Sequence, residues 1–110
     1  MNITTRTLND VTIVAFAGSL DSKTSPQAQQ ALDAILAAGG RKVAVDFTAL
    51  DYISSAGLRV LLGTAKRLMG AGSSLRLFGL NQTVREVFEI SGFSAIFAVF
   101  ATEADALQGL

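Results

Sequence analysis

Two adjacent serines, Ser54 and Ser55, stand where a short polar loop gives way to a helical pattern. They belong to the run Asp46-Phe47-Thr48-Ala49-Leu50-Asp51-Tyr52-Ile53-Ser54-Ser55-Ala56-Gly57-Leu58-Arg59-Val60-Leu61-Leu62. A hydroxyl at a helix N-terminus can cap backbone N–H groups, and the same position favours the negative charge of a phosphate. One serine suffices for the cap, so the pair leaves a hydroxyl to spare. Neither serine has the company a nucleophile needs. The chain contains no histidine and no cysteine, so no Ser-His-Asp triad can be assembled. Ile53 stands where a G-x-S-x-G elbow around Ser55 would need its first glycine. Lys23, Lys42 and Lys66 could in principle partner a serine, but none has a motif around it. The chemistry to expect is modification of a displayed hydroxyl rather than catalysis by it, with no catalytic residue and no enzyme.

The remaining chemistry-bearing residues read more simply. Asp21, Asp46 and Asp51 invite comparison with a Mg²⁺ site, but each falls at a turn, a strand end or a helix entry, where aspartate serves the backbone. No metal and no cofactor is expected. Gly39-Gly40 and Gly70-Ala71-Gly72 are helix stops; no Gly-Lys-Ser/Thr follows either, so neither is a phosphate loop. Phe93, Ile96 and Phe97 are expected to close the core under the last helix.

The elements that must position the serines follow from periodicity and punctuation. Ile3 to Leu8 is β-branched and polar, an edge strand, and Asn9-Asp10 turns it into the more apolar strand Val11 to Ala17, which Gly18 ends. Thr24 or Ser25 caps a helix with Pro26 in its first turn, Thr24 and Gln27 having capping-box spacing. Ala28, Ala31, Leu32, Ile35 and Leu36 form its buried face. Lys42 to Phe47 is a strand covered on both sides. The helix after Ser55 carries Leu58, Leu61, Leu62, Ala65, Leu68 and Met69 on one stripe, with Arg59, Lys66 and Arg67 opposite. Ser74 to Gly79 returns as a strand. Asn81 or Thr83 caps a helix bearing Val84, Val87 and Phe88. Ala95 to Phe100 is a short apolar strand, and Thr102 caps a last helix to Leu107. The order β-β-α-β-α-β-α, then a short β and α, implies an α/β fold: a mixed sheet, mostly parallel with an N-terminal antiparallel hairpin strand, packed with about four helices.

Composition narrows the partners. With 110 residues, half of them apolar and 16% charged, the chain fits a single domain over residues 1–110 with a sizeable core. Nine basic and nine acidic residues cancel, which argues against direct nucleic-acid binding. The N-terminus lacks a signal pattern and no apolar run approaches the ~20 residues of a membrane helix. A cytoplasmic protein without membrane insertion is expected, with another protein as its partner.

The run Asp46 to Leu62 resembles the signature of the STAS domain, the fold of bacterial anti-sigma factor antagonists and of sulfate-transporter tails. Ser54-Ser55-Ala56-Gly57-Leu58 corresponds to the family's Asp-Ser-Ser-Gly-Leu, anchored by Gly57-Leu58. Gly18-Ser19-Leu20-Asp21 resembles its Gly-x-Leu-Asp loop, and Ser91-Gly92-Phe93 its usual end to the third helix. The resemblance places the family's phosphorylated serine on Ser55, with Ser54 where an acid often stands and Ala56 where a serine does. It implies an antagonist that frees a sigma factor by partner switching. The partner would be an anti-sigma factor with a serine-kinase, histidine-kinase-like ATPase fold, and a PP2C-type phosphatase would reverse the modification. The implied partner-binding surface is Asp21, Ser22, Thr24, Ser54, Ser55, Gly57, Leu58 and Arg59. The alternative implied by the same family is an adaptor subunit of a lipid transporter or stress-sensing complex, without a phospho-switch.

Overall fold

The computed structural model describes residues 1–93 and 96–110. Strand β1 (Asn2–Leu8) and strand β2 (Val11–Leu20) form the expected antiparallel hairpin, Leu8 opposite Val11. Asn9 and Asp10 both take positive φ, 50° and 72°, the conformation of a two-residue turn whose twist matches that of the strands. Helix α1 (Ser25–Ala37), strand β3 (Val43–Asp46), strand β4 (Leu50–Ile53) and helix α2 (Ser55–Gly70) follow. Strand β5 (Leu75–Phe78), helix α3 (Gln82–Ser91), strand β6 (Ala98–Phe100) and helix α4 (Glu103–Leu107) complete the chain. The strands are ordered β1-β2-β3-β5-β6, with every pair parallel except β1 with β2. The mixed sheet and its antiparallel edge are those expected from the sequence. The start of the expected last strand, Ala95, lies outside the described residues, and of the rest Ile96 and Phe97 form a turn and bend, so that the strand begins only at Ala98.

Two expectations about β2 and its neighbours are corrected. Gly18 does not end β2. The strand runs on to Leu20, and its far end leaves β3 to pair in parallel with β4, Leu20 opposite Ile53. The register shifts between Gly18 and Ser19, and Gly18 takes φ +106°, a backbone state that glycine adopts without steric cost. Gly18 is therefore a kink inside the strand that lets one strand serve two partners. The second correction is β4 itself: Asp51, read as part of the loop that leads into α2, lies in a strand.

The alternation of β2, β3 and β5 sorts the side chains onto two faces. Val14, Phe16, Val43, Val45, Leu75 and Leu77 join the main core with α1, α2 and α3. Val11, Ile13, Ala44 and Phe78 meet Ala106 of α4 in a smaller cluster on the other face. Phe47 is fully buried between Phe16 and Phe88, with ring centroids 6.0 and 6.4 Å away, and Phe88 continues edge-on to Phe97 at 5.5 Å. The stripe of α2 is as expected at Leu58, Leu61, Ala65 and Leu68, but Val60 and Thr64 are buried too. Met69 is 58% exposed, so the stripe turns away from the last position of the pattern. Phe97 closes the core, Phe93 packs partly against it, and Ile96 stays exposed.

Phe47 packs Phe16 of β2 against Phe88 of α3, and truncating it opens a void in the core. Phe47→Ala is expected to lower stability by about 3–5 kcal/mol, read as a fall in the urea midpoint with the slope unchanged.

Candidate functional site

The end of β2 and the start of α2 are held together at one backbone group, the carbonyl of Leu20. It accepts the Ser54 N–H at 2.9 Å. Leu20 and Ile53 are both fully buried, and Gly57 sits in the first turn of α2 directly against them. A Cβ on Gly57 would lie 2.7 Å from Leu20 Cγ, 2.9 Å from the Leu20 carbonyl oxygen and 2.9 Å from Ile53 Cγ1. Only a residue without a side chain lets the helix approach the strand this closely.

The two serines divide their duties. Ser54 is the N-cap, in extended conformation, and its Oγ accepts from Gly57 N–H at 3.4 Å, while its carbonyl accepts Leu58 N–H at 3.0 Å. Ser55 is the first helical residue; it is exposed, and its hydroxyl has no hydrogen-bond partner among the described residues. The first turn of α2 carries no acidic side chain, so the helix N-terminus faces outward with its positive end uncompensated.

Beside this helix start, Asp21 organises the turn between β2 and α1. Its Oδ1 accepts the N–H groups of Lys23 at 2.9 Å and Thr24 at 3.1 Å. Thr24 Oγ1 donates to the Ser19 carbonyl at 2.8 Å and accepts Asp21 N–H at 2.9 Å. Ser25 Oγ and N–H both donate to the Asp21 carbonyl, at 2.5 and 2.8 Å. The N–H groups of Thr24 and then Lys23 hold the Asp21 carboxyl below the ordinary aspartate range, because they favour its charged form. The expected capping box is absent. Thr24 sits at the N-cap without capping by its side chain, and Gln27 reaches the Met1 carbonyl instead. The Asp21 carboxylate takes the Thr24 N–H that the Gln27 side chain would have accepted in a box. Asn81, not Thr83, caps α3: it accepts Val84 N–H at 2.8 Å and donates to the Leu50 carbonyl at 2.9 Å.

Asp46 spends its carboxylate on Thr48, accepting from its N–H at 2.9 Å and its hydroxyl at 2.7 Å. Asp51 is exposed on β4. Among the described residues no three acidic or other ligating side chains gather into a metal-binding cluster.

Of the residues singled out in the sequence, Ser22, Ser55 and Arg59 are exposed, and Asp21, Thr24 and Ser54 are half-buried. Gly57 and Leu58 are buried, Leu58 to 4% exposure; they shape this surface from beneath. Ser55, Leu58, Arg59 and Leu62 line a cavity of about 230 Å³ with Ser91 and Phe93 from the end of α3. Leu62, Ser91 and Phe93 went unnoticed in the sequence as parts of this site. The spacing 55, 58, 59, 62 marks one helix face and could have revealed Leu62; the contribution of α3 is a product of the tertiary fold. A larger groove of about 740 Å³ lies between α1 and β1, lined by Ile3, Gln27 and Ile35 among others, away from Ser55.

A mixed sheet with one antiparallel edge, and an exposed serine on the first turn of a helix seated on that sheet, define a small α/β module. The family pattern of the STAS domain matches residues 2–106, and the chain belongs to that family. BtrV of Bordetella bronchiseptica, named as a candidate anti-sigma factor antagonist, is 43% identical over 99 residues, 90% of this chain and 85% of its own. The anti-sigma-B factor antagonist of Listeria monocytogenes is 35% identical over 89 residues, 81% and 78% of the two chains. A crystal structure from Thermotoga maritima, also described as a candidate antagonist, superposes with a TM-score of 0.91. It shares 20% identity and covers 96% of this chain and 92% of its own. These relatives are named as regulators, not as enzymes. Among the described residues no helix is long and apolar enough to cross a membrane.

Two outcomes test this construction. Ala exceeds Gly in helix propensity by about 1 kcal/mol, but at position 57 a methyl group meets backbone and two buried side chains, a clash that costs about 1–3 kcal/mol. Gly57→Ala is therefore expected to lower the thermal midpoint rather than raise it. For Asp21 the folded pKa is depressed, so its stabilising contribution is present above the unfolded value near 3.8 and disappears as pH falls through the lower folded value. Asp21→Asn should be less stable than the parent at pH 6. The two urea midpoints should converge as pH drops below 4.

Proposed function

We propose that this domain is an anti-sigma factor antagonist that works by partner switching. In the unmodified state the surface around Ser55 binds an anti-sigma factor and so frees the sigma factor that it holds. The partner is a serine kinase with a histidine-kinase-like ATPase fold. It transfers the γ-phosphoryl group of ATP to Ser55 Oγ, with loss of the hydroxyl proton and release of ADP, and thereby ends its own binding. A PP2C-type phosphatase hydrolyses the phosphoserine and restores the antagonist. The observation that carries this reading is the division of labour at the start of α2, where Ser54 caps the helix and leaves the exposed Ser55 hydroxyl without a structural task. The names of relatives at 43% and 35% identity support the same reading.

The energetics favour a switch that spares the fold. A phosphate adds about −1.5 to −2 charge. At a helix N-terminus it gains roughly 0.3–1 kcal/mol from the dipole, so the domain stays folded. Desolvating that dianion against a flat partner surface costs several kcal/mol, enough for a loss of affinity of about 100-fold or more. Asp21, Ser22, Thr24, Ser54 and Arg59 would share the contact surface with Ser55, and the buried Gly57 and Leu58 would hold it in shape.

The test is affinity capture from lysate of the native cell with parent, Ser55→Ala and Ser55→Asp baits, read by mass spectrometry. Capture of an ATPase-fold kinase by the parent and Ser55→Ala, and its loss with Ser55→Asp, is the expected result. The same partners on all three baits would remove the switch from Ser55 and leave the adaptor role in place.

A further inference from the structure

Arg59 is placed to act on Ser55. It follows Ser55 by four residues on α2, and both line the cavity of about 230 Å³ together with Leu58, Leu62 and Phe93. Residues at i and i+4 on a helix have Cβ atoms about 6 Å apart. Long helical side chains lean back toward the N-terminus, over the preceding turn. The turn that Arg59 covers is therefore the one that presents Ser55. Arg59 is exposed and belongs to neither of the two ion pairs among the described residues, which join Arg6 to Glu103 and Arg67 to Asp33. It also makes no side-chain hydrogen bond among those residues, so its five N–H donors are uncommitted. An anion N-terminal to a cation at this spacing is the favourable orientation for a helical pair.

Resting on the partner-switching reading above, we propose that Arg59 is a clamp for phosphorylated Ser55, folding its guanidinium onto the phosphate across the mouth of the cavity. Phosphate oxygens and the guanidinium fork match in a bidentate hydrogen-bonded pair, which a lysine's point charge does not reproduce. The clamp changes the partner surface in two ways at once. It withdraws the Arg59 charge from any carboxylate of the partner, and it closes the apolar cavity to any partner side chain seated there. Phosphorylation at one atom then removes two further contacts without moving the backbone. Asn81 and the Asp21 turn, which hold β4 and β2, remain as they are.

The clamp is tested without a partner. Protein carrying phosphoserine at position 55, made by genetically encoded incorporation, is titrated by ³¹P NMR as the parent, Arg59→Lys and Arg59→Gln. A paired guanidinium favours the dianion, so the second pKa of the parent's phosphate is expected to lie about half a unit or more below that of Arg59→Gln. Arg59→Lys should fall between the two, and in the parent the Arg59 Nε–H resonance should shift on phosphorylation. Coincident titrations of the parent and Arg59→Gln, with an unmoved Arg59 resonance, overturn the clamp. Because these arms need no anti-sigma factor, they fail separately from the switch, which fails if the parent captures no such kinase or if Ser55→Asp still captures it.

Discussion

The seat of α2 on the end of β2 is the constraint on which the site depends. The Leu20 carbonyl takes the Ser54 N–H at the same place where Gly57 brings the helix backbone against the Leu20 and Ile53 side chains. That close approach fixes the direction in which α2 leaves the sheet, and hence the faces on which Ser55, Arg59 and Leu62 emerge. It also explains why β2 must continue past Gly18. Had the strand ended there, Leu20 would not be held in register with Ile53, and α2 would have no fixed carbonyl to receive Ser54. The kink at Gly18 and the missing side chain at Gly57 are thus two halves of one device, the first aiming the strand and the second admitting the helix.

Around that seat the polar groups are spent locally. Asp21 satisfies the turn into α1, Ser54 and Asn81 satisfy the starts of α2 and α3, and Asp46 satisfies Thr48. Among the described residues no buried side-chain nitrogen or oxygen lacks a hydrogen-bond partner. A surface whose buried polar side chains are all paired presents a well-defined shape to a partner, and less ordering entropy remains to be lost on binding. Ser55 and Arg59, like Ser22, are exposed polar groups left out of that internal accounting. The two exposed ion pairs, by contrast, contribute little, since solvent screens them and long side chains lose freedom in forming them.

Much of this was legible in the sequence, for reasons that can be assigned residue by residue. The faces of α1 and α2 follow from periodic apolar residues that really do meet a core, and the Asn9-Asp10 turn from side chains that tolerate positive φ. The mixed sheet follows from the order of the elements. What escaped was decided by tertiary structure. β4 is four residues long, with Leu50 and Ile53 buried and Asp51 and Tyr52 exposed, a pattern that no alternation marks as a strand. Gly18 has the sequence look of a terminator, and only pairing with a strand thirty residues later makes it a kink. The capping box at Thr24 had the right spacing and Thr83 the right chemistry for a cap, but Asp21 and Asn81 offered the backbone better-placed oxygens. Met69 fits the stripe of α2, yet it lies beyond the reach of the core. The wall of the Ser55 cavity formed by Ser91 and Phe93 has no local signal, because it exists only once α3 is docked.

The order of the two serines has a physical logic of its own. A cap oxygen works by accepting a backbone N–H at close range in a set geometry; esterifying it with a phosphate would displace that contact and cost up to the roughly 1 kcal/mol that a cap is worth. The next residue along is already helical, with its side chain outside the capping network and still within the first turn, where the dipole is strongest. A charge added there is tolerated by the domain and felt by whatever packs on it. The sequence Ser54-Ser55 separates the residue that holds the helix from the residue free to be modified, and the fold keeps them one position apart. Ser54 faces the Gly57 amide, and Ser55 lines the cavity that Arg59 also lines. A single serine doing both would trade stability against regulation at every phosphorylation; two adjacent ones do not.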